Sequence, residues 1–326
     1  MIIKERLNQL IDQQEFSGSV LITCGNHVTY TASIGMSNYE LDVPNSSKTK
    51  YRIGSITKLI TATAIMQLAE RGQLRLDSSI EYYIPQYPAG RQISINHLLT
   101  HTSGIPNLTA FPDFMEWVKS ESTLRETIDR FLSRPLEFVP GTAYAYSNSG
   151  YILLSYILEK ITDQTYETYF QENIFDPLGM KSTGVDRQDS IIENRAAGYN
   201  LADGQLVNAP YINMRLPAGA ASLYSTTGDL HLFSEGFFNG KLINETSRRK
   251  MMKKGFGDHA LGWMVKRDKS ELVAHHGGGI HGFSGNFMRY TDSNVTFILL
   301  SNVFYPKQKM EEFSKQLADH FFADGE

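Results

Sequence analysis

Cysteine is almost absent. Cys24 is the only one in 326 residues, which excludes an intrachain disulfide framework and a cysteine-built metal centre; it is expected to pack as a small apolar residue in a strand. An excess of basic charge is missing too: 31 Lys and Arg stand against 35 Asp and Glu, a net charge of −4. With no basic run interleaved with aromatics, nucleic acid is not expected as a partner. No apolar run approaches the ~20 residues that cross a bilayer. The N-terminus, Met1-Ile2-Ile3-Lys4-Glu5-Arg6-Leu7, lacks the apolar core of an export signal, since Glu5 and Asp12 interrupt its periodicity. A cytoplasmic protein is expected, although an exported chain already trimmed of its leader would read the same. Linkers, internal repeats and low-complexity tracts are lacking as well. At 41% hydrophobic residues, the chain can bury a large core in one body of one or two lobes.

What is present is periodic. Ile3, Leu7, Leu10 and Ile11 recur at helical spacing over residues 2–14, and Met310, Phe313, Leu317 and Phe321 do so near the other end. Just inside these helices lie two expected hairpins, Gly18–Cys24 with His27–Ser33 and Phe283–Tyr290 with Val295–Asn302. Helical segments are predicted around Ser55–Arg71, Ser94–Thr100, Phe114–Phe131 and Gly150–Ile161, separated by loops rich in Pro, Gly, Ser and Asn. The order fits an α/β (α+β) fold: an antiparallel sheet built from both ends of the chain, flanked by terminal helices, with a helical region inserted. The expected boundaries are residues 1–54 and 220–326 for the α/β lobe and 55–219 for the helical lobe, with a site where they meet.

Ser55-Ile56-Thr57-Lys58 is the most informative segment. A serine followed three residues later by a lysine, at a helix start, stacks a nucleophile and a candidate base on one face. The same spacing occurs at Ser47-Lys48-Thr49-Lys50 and Ser247-Arg248-Arg249-Lys250, so context must choose. Ser47 sits in a polar run after Pro44, and Ser247 opens a basic stretch that reads as a wet helix face. Only Ser55 precedes a long apolar stripe, Ile56, Leu59, Ile60, Ala64, Leu68 and Ala69, stopped by Gly72. Burial matters because a lysine becomes a useful base only when its pKa is brought down. The helix start also leaves amides unpaired, so the N–H of Ser55 can help bind an oxyanion. The plainer alternative is an ordinary serine cap beside a surface lysine.

Two further segments carry chemistry. In Tyr144-Ala145-Tyr146-Ser147-Asn148-Ser149-Gly150, a polar turn entering an apolar helix can aim Tyr146 as a proton relay and Asn148 as a ligand of lysine and substrate. Tyr211-Ile212-Asn213 has the same spacing without the helix and reads as a loop. In His275-His276-Gly277-Gly278-Gly279, read as a glycine-rich turn before the C-terminal strands, the glycines let a reacting carbonyl approach the sheet edge and His276 can contact substrate. A Ser-His-Asp hydrolase is disfavoured because no G-x-S-x-G elbow exists. A metal hydrolase built on His97 and His101 is disfavoured because the H-E-x-x-H glutamate is missing and the residues between them are apolar.

Together, in order, Ser55/Lys58, Tyr146/Asn148 and His276/Gly278 resemble the S-x-x-K, Y-x-N and H-x-G motifs of the serine β-lactamase and penicillin-binding-protein superfamily, in its class C-like branch of esterases, D-amino-acid peptidases and β-lactamase-related proteins. Leu98–Gly104, Pro177–Met180 and Ala218–Thr226 extend the similarity, which spans roughly residues 10–305. The resemblance implies an acyl-enzyme on Ser55, proton movement through Lys58 and Tyr146, orientation of lysine and substrate by Asn148, and an oxyanion hole of the Ser55 and Gly279 amides. It leaves open whether Lys58 or Tyr146 takes the serine proton. Gly277 and Gly278 complete the implied substrate-binding strip. Neither a cofactor nor a metal is implied; the implied partner is a small molecule or short peptide, with β-lactams as acylating ligands.

His276 stands where many relatives of that type carry the lysine of a K-T-G triad. A histidine of conditional charge is expected there, setting preference for carboxylated substrates and weakening β-lactam turnover. His281 replaces an expected proline. The resemblance therefore implies a serine hydrolase acting on a D-amino-acid peptide, an amide or an ester, with weak β-lactam reactivity. The alternative is a non-catalytic sensor or scaffold that binds such ligands on the same fold.

Overall fold

A computed structural model describes residues 2–13 and 16–323. Its centre is a six-stranded antiparallel sheet of β1 (Gly18–Cys24), β2 (His27–Ile34), β3 (Met264–Asp268), β4 (Glu271–Ile280), β5 (Phe283–Tyr290) and β6 (Val295–Ser301), in the spatial order β3-β4-β5-β6-β1-β2. Strand β1 from the start of the chain pairs with β6 from its end, Ser19 opposite Leu300 through Cys24 opposite Val295. The closing of the sheet by both ends follows from that pairing.

Alternation sorts the two faces. Val20 and Ile22 of β1, with Phe297 and Leu299 of β6, bury themselves against the terminal helices α1 (Ile2–Gln13) and α5 (Lys307–Ala323), through Leu7, Ile11, Met310, Phe313 and Leu317. The side chains of Ile3 and Leu10 lie outside those described. Leu21, Ile298 and Leu300 point the other way, into the larger core that holds α2 (Thr57–Glu70), α3 (Asn148–Thr162) and α4 (Thr227–Phe238). With both faces covered, β5 and β6 read as continuous buried runs.

Helix α2 is buried from Thr57 to Leu68, as expected for a helix apolar nearly all round. It ends as the sequence indicates: Gly72 takes φ +70, and the amides of Gly72 and Gln73 reach back to the Ala69 and Leu68 carbonyls.

Three expectations need correction. The segment Phe114–Phe131 is two helices, Phe114–Trp117 and Leu124–Leu132, because Thr123 caps the second, its side chain accepting from the Glu126 amide while Glu126 returns to the Thr123 amide. The supposed turn at His275–Gly279 is the interior of β4, and the turn itself falls at His281-Gly282. Cys24 ends β1 but is exposed rather than packed. Among the described residues, no helix is long and apolar enough to cross a membrane.

Candidate active site

Ser55 occupies a single tight turn, Gly54–Ile56, that leads directly into α2. Gly54 makes this possible: it holds φ +50, and a Cβ there would stand 2.8 Å from the Gly279 nitrogen of β4. The turn is thus laid against the sheet. Strand β3 stops pairing at Met264 opposite His275, so among the described residues no strand pairs with β4 from His276 to Ile280 on that side, and this stretch runs past the serine as an open edge.

Lys58 lies one turn beyond Ser55, wholly buried. Its Nζ is 3.0 Å from Ser55 Oγ, 2.8 Å from Asn148 Oδ1 and 2.9 Å from the Ala220 carbonyl oxygen. No carboxylate is among these partners, and burial holds its pKa well below that of an ordinary lysine. Tyr146 Oη donates to Ser55 Oγ at 2.8 Å, and burial raises its phenol, an effect that the bond to Ser55 only partly offsets. A consistent proton arrangement follows. With Lys58 neutral, Tyr146 O–H donates to Ser55, Ser55 O–H donates to Lys58, and Lys58 donates its two hydrogens to Asn148 and Ala220.

The Tyr146–Asn148 segment is held from beneath. Ser147 caps α3, which therefore begins at Asn148 rather than Gly150, its side chain accepting from the Gly150 amide. His101 Nδ1 accepts the Ser147 N–H at 3.1 Å, and its ring packs 4.4 Å from that of Tyr146. Asn107 Oδ1 accepts both the backbone N–H and the Nδ2 of Asn148, at 3.1 and 3.2 Å, which turns Asn148 Oδ1 toward Lys58. His97 Nδ1 is engaged by the Ser94 amide in a helix cap, so the two histidines considered as metal ligands each have structural partners.

His276 differs from the expectation of conditional charge. It is buried, its Nδ1–H donates to the Gly277 carbonyl at 2.6 Å, and burial followed by the proximity of Lys58 brings its pKa down to about 3. Near neutral pH it carries no charge to offer. Gly277, Gly278 and Gly279 continue the open edge beside Ser55 and line the same cavity. Of the decoys, Ser47 is exposed in a turn, and Ser247 sits in the helix Glu245–Met251 with its amide capped by Asn244. Neither lines the cavities that hold Ser55. Tyr211-Ile212-Asn213 is a loop, with Asn213 Nδ2 tied to the Ser120 carbonyl.

Sequence reasoning missed Asn107 and the pair Tyr144–His259, whose Oη and Nε2 lie 2.6 Å apart with stacked rings beside Ser55's cavity. These residues carry no motif spacing. Only Tyr144's place in the Tyr146 turn was a signal.

A family model described as Beta-lactamase matches residues 3–320. The chain belongs to that family. Its relatives include a penicillin-binding protein of Bacillus subtilis (strain 168), 28% identical over 314 residues that cover 89% of this chain and 69% of that protein. Against this and two further curated relatives, the chain spans between 63% and 69% of their length. A penicillin binding protein from Bacillus halodurans has a TM-score of 0.85 at 26% identity, covering 95% of this chain and 99% of that one. The D-amino acid amidase from Ochrobactrum anthropi SV3, solved with L-phenylalanine amide, reaches a TM-score of 0.89 with full coverage of both chains; at 23% identity it shows the shared fold. Membership of the Beta-lactamase family supports a general hydrolase role of the serine type.

Proposed function

We propose that the protein hydrolyses a small amide or ester through an acyl-enzyme on Ser55, with D-amino-acid amides and short D-peptides as the leading substrate class. The observation that carries this reading is Ser55 Oγ held between Lys58 Nζ at 3.0 Å and Tyr146 Oη at 2.8 Å. Relatives named as penicillin-binding proteins, and a D-amino acid amidase of the same fold, support the substrate class.

Burial lowers the pKa of Lys58 and raises that of Tyr146, and so favours the neutral form of each. A neutral lysine can accept a proton, whereas a neutral phenol can only donate one. Lys58 is therefore the base in this reading: Ser55 Oγ bonds to the substrate carbonyl carbon as its proton passes to Lys58 Nζ. The amides of Ser55 and Gly279 receive the oxyanion, and Tyr146 delivers a proton to the departing nitrogen or oxygen while regaining the one that Lys58 took from Ser55, so that both groups end neutral. The amine or alcohol leaves and the acyl group stays on Ser55. Water then adds to that ester, the acid departs, and the serine regains its proton. Lys58 and Tyr146 act as one coupled group throughout.

A chromogenic acetyl ester and a panel of D-amino-acid amides, assayed against wild-type and Ser55→Ala protein, test the reading. Hydrolysis that disappears in the variant supports it. Hydrolysis that survives intact in folded Ser55→Ala protein overturns it.

A further inference from the structure

Two cavities meet at Ser55, and they differ in chemistry. The first, of about 450 Å³, is walled by Phe114, Met115, Ile152, Ile212, Leu216 and Ile280. Among the described residues, no Asp, Glu, Lys or Arg lines it. Its one histidine, His281, is biased toward the neutral form, because burial lowers its pKa more than the bond to the Pro210 carbonyl raises it. Met115 and Phe304 are each nearly half exposed, so the apolar lining continues to solvent. The second cavity, of about 320 Å³, contains Tyr146 and His276 together with the charged Lys307 and Glu311.

Resting on the Ser55 reading, we infer that the side chain on the acyl half of the substrate is uncharged and apolar, and that it occupies the first cavity. The direction follows from the proton. The departing group must be protonated, and the proposed donor, Tyr146, lines the second cavity and not the first. The leaving group therefore belongs on the side of Lys307 and Glu311, and the acyl chain lies among Phe114, Ile212 and Leu216. Burying a methylene there is favourable by about 0.8 kcal/mol, which is about fourfold in kcat/KM. An acyl group bearing a carboxylate would surrender its hydration to walls that hold no cation.

The test holds the leaving group constant: kcat/KM for p-nitrophenyl acetate, butyrate and hexanoate, with the p-nitrophenyl hemisuccinate as the charged counterpart of butyrate. The expected result is a rise of about fourfold per methylene and a hemisuccinate used at least about tenfold less well than butyrate. Met115→Glu, at a wall position that is nearly half exposed, should lower the hexanoate-to-acetate ratio. A flat or falling series, or a hemisuccinate equal to butyrate, with acetate hydrolysis still abolished by Ser55→Ala, overturns the inference and leaves the serine mechanism standing. A second readout is independent of turnover. The Ser55→Ala protein should bind N-hexanoyl-glycinamide about 250-fold more tightly than N-acetyl-glycinamide, and equal affinities overturn the inference whatever becomes of the serine mechanism.

Discussion

Gly278 lies so close to Ile53 that a Cβ on it would stand 2.0 Å from the Ile53 carbonyl oxygen. The obstacle is backbone, so it cannot swing aside, and the contact sets how near β4 comes to the turn that carries Ser55. Gly278→Ala should force the two apart, destabilising the protein by about 1–3 kcal/mol and lowering ester hydrolysis more than tenfold. Gly277→Ala is the control for stability, since a Cβ there meets only the Gly285 carbonyl at 3.9 Å. Urea denaturation and initial rates on both variants check the contrast; equal behaviour would remove the role given to Gly278.

Lys58 and Tyr146 should separate in their pH profiles. If neutral Lys58 accepts the serine proton, activity rises with pH as the lysine loses its own, through an apparent pKa below the ordinary lysine value. Lys58→Ala should lower acylation by about 10²–10⁴-fold and abolish that rise. Tyr146→Phe should lower the rate yet keep the rising limb. A limb lost in Tyr146→Phe and retained in Lys58→Ala would make the phenolate the base.

Asn107 should act through Asn148. Asn107→Leu removes the oxygen that accepts from both the Asn148 backbone and its Nδ2, freeing the amide to turn away from Lys58. The expected outcome is a fall in kcat and a shifted rising limb, with KM less affected. Asn107→Asp keeps an acceptor at the same place and should recover part of the loss. Identical defects in the two variants would contradict this positioning role.

His275 and His276 are both buried, and burial is the first cause of pKa values lowered to about 3. Their folded values lie below the ~6.5 of an unfolded histidine, so the unfolded chain binds more protons as pH falls. The stability they permit is fully present above about pH 6.5 and is lost progressively from there toward pH 3, at up to about 1.4 kcal/mol per pH unit for each histidine. Chemical denaturation between pH 7 and pH 4 measures this slope. His276→Gln should reduce it, and an unchanged slope would remove His276 from the account. For the same reason, the preference between carboxylated and neutral substrates should not change between pH 6 and 8.

The sequence carried the central geometry because its signals are local. Ser55 and Lys58 are one helical turn apart, and Tyr146 and Asn148 flank a serine cap, so spacing alone places each pair. The apolar stripe after Ser55 also predicted the burial that lowers Lys58, and the strand patterns at both ends predicted the sheet that both ends share. What failed was less local. Three consecutive glycines in β4 look like a turn, yet they are a strand thinned so that another backbone can approach, a need that exists only once Ile53 and Gly54 are folded against it. Asn107 meets Asn148 across 41 residues and His259 meets Tyr144 across 115, distances over which no pattern of spacing operates. The break after Trp117 was legible in principle, since Thr123 and Glu126 have capping-box spacing.

The most direct test of the account is where a covalent acyl group comes to rest. Intact-protein mass spectrometry after incubation with excess penicillin, or with a p-nitrophenyl ester quenched in acid, should show one added acyl group. Peptide mapping should place it on Ser55, and the Ser55→Ala protein should carry none. An acyl group on Ser47, Ser247 or any other residue, or undiminished acylation of the Ser55→Ala protein, would contradict the account.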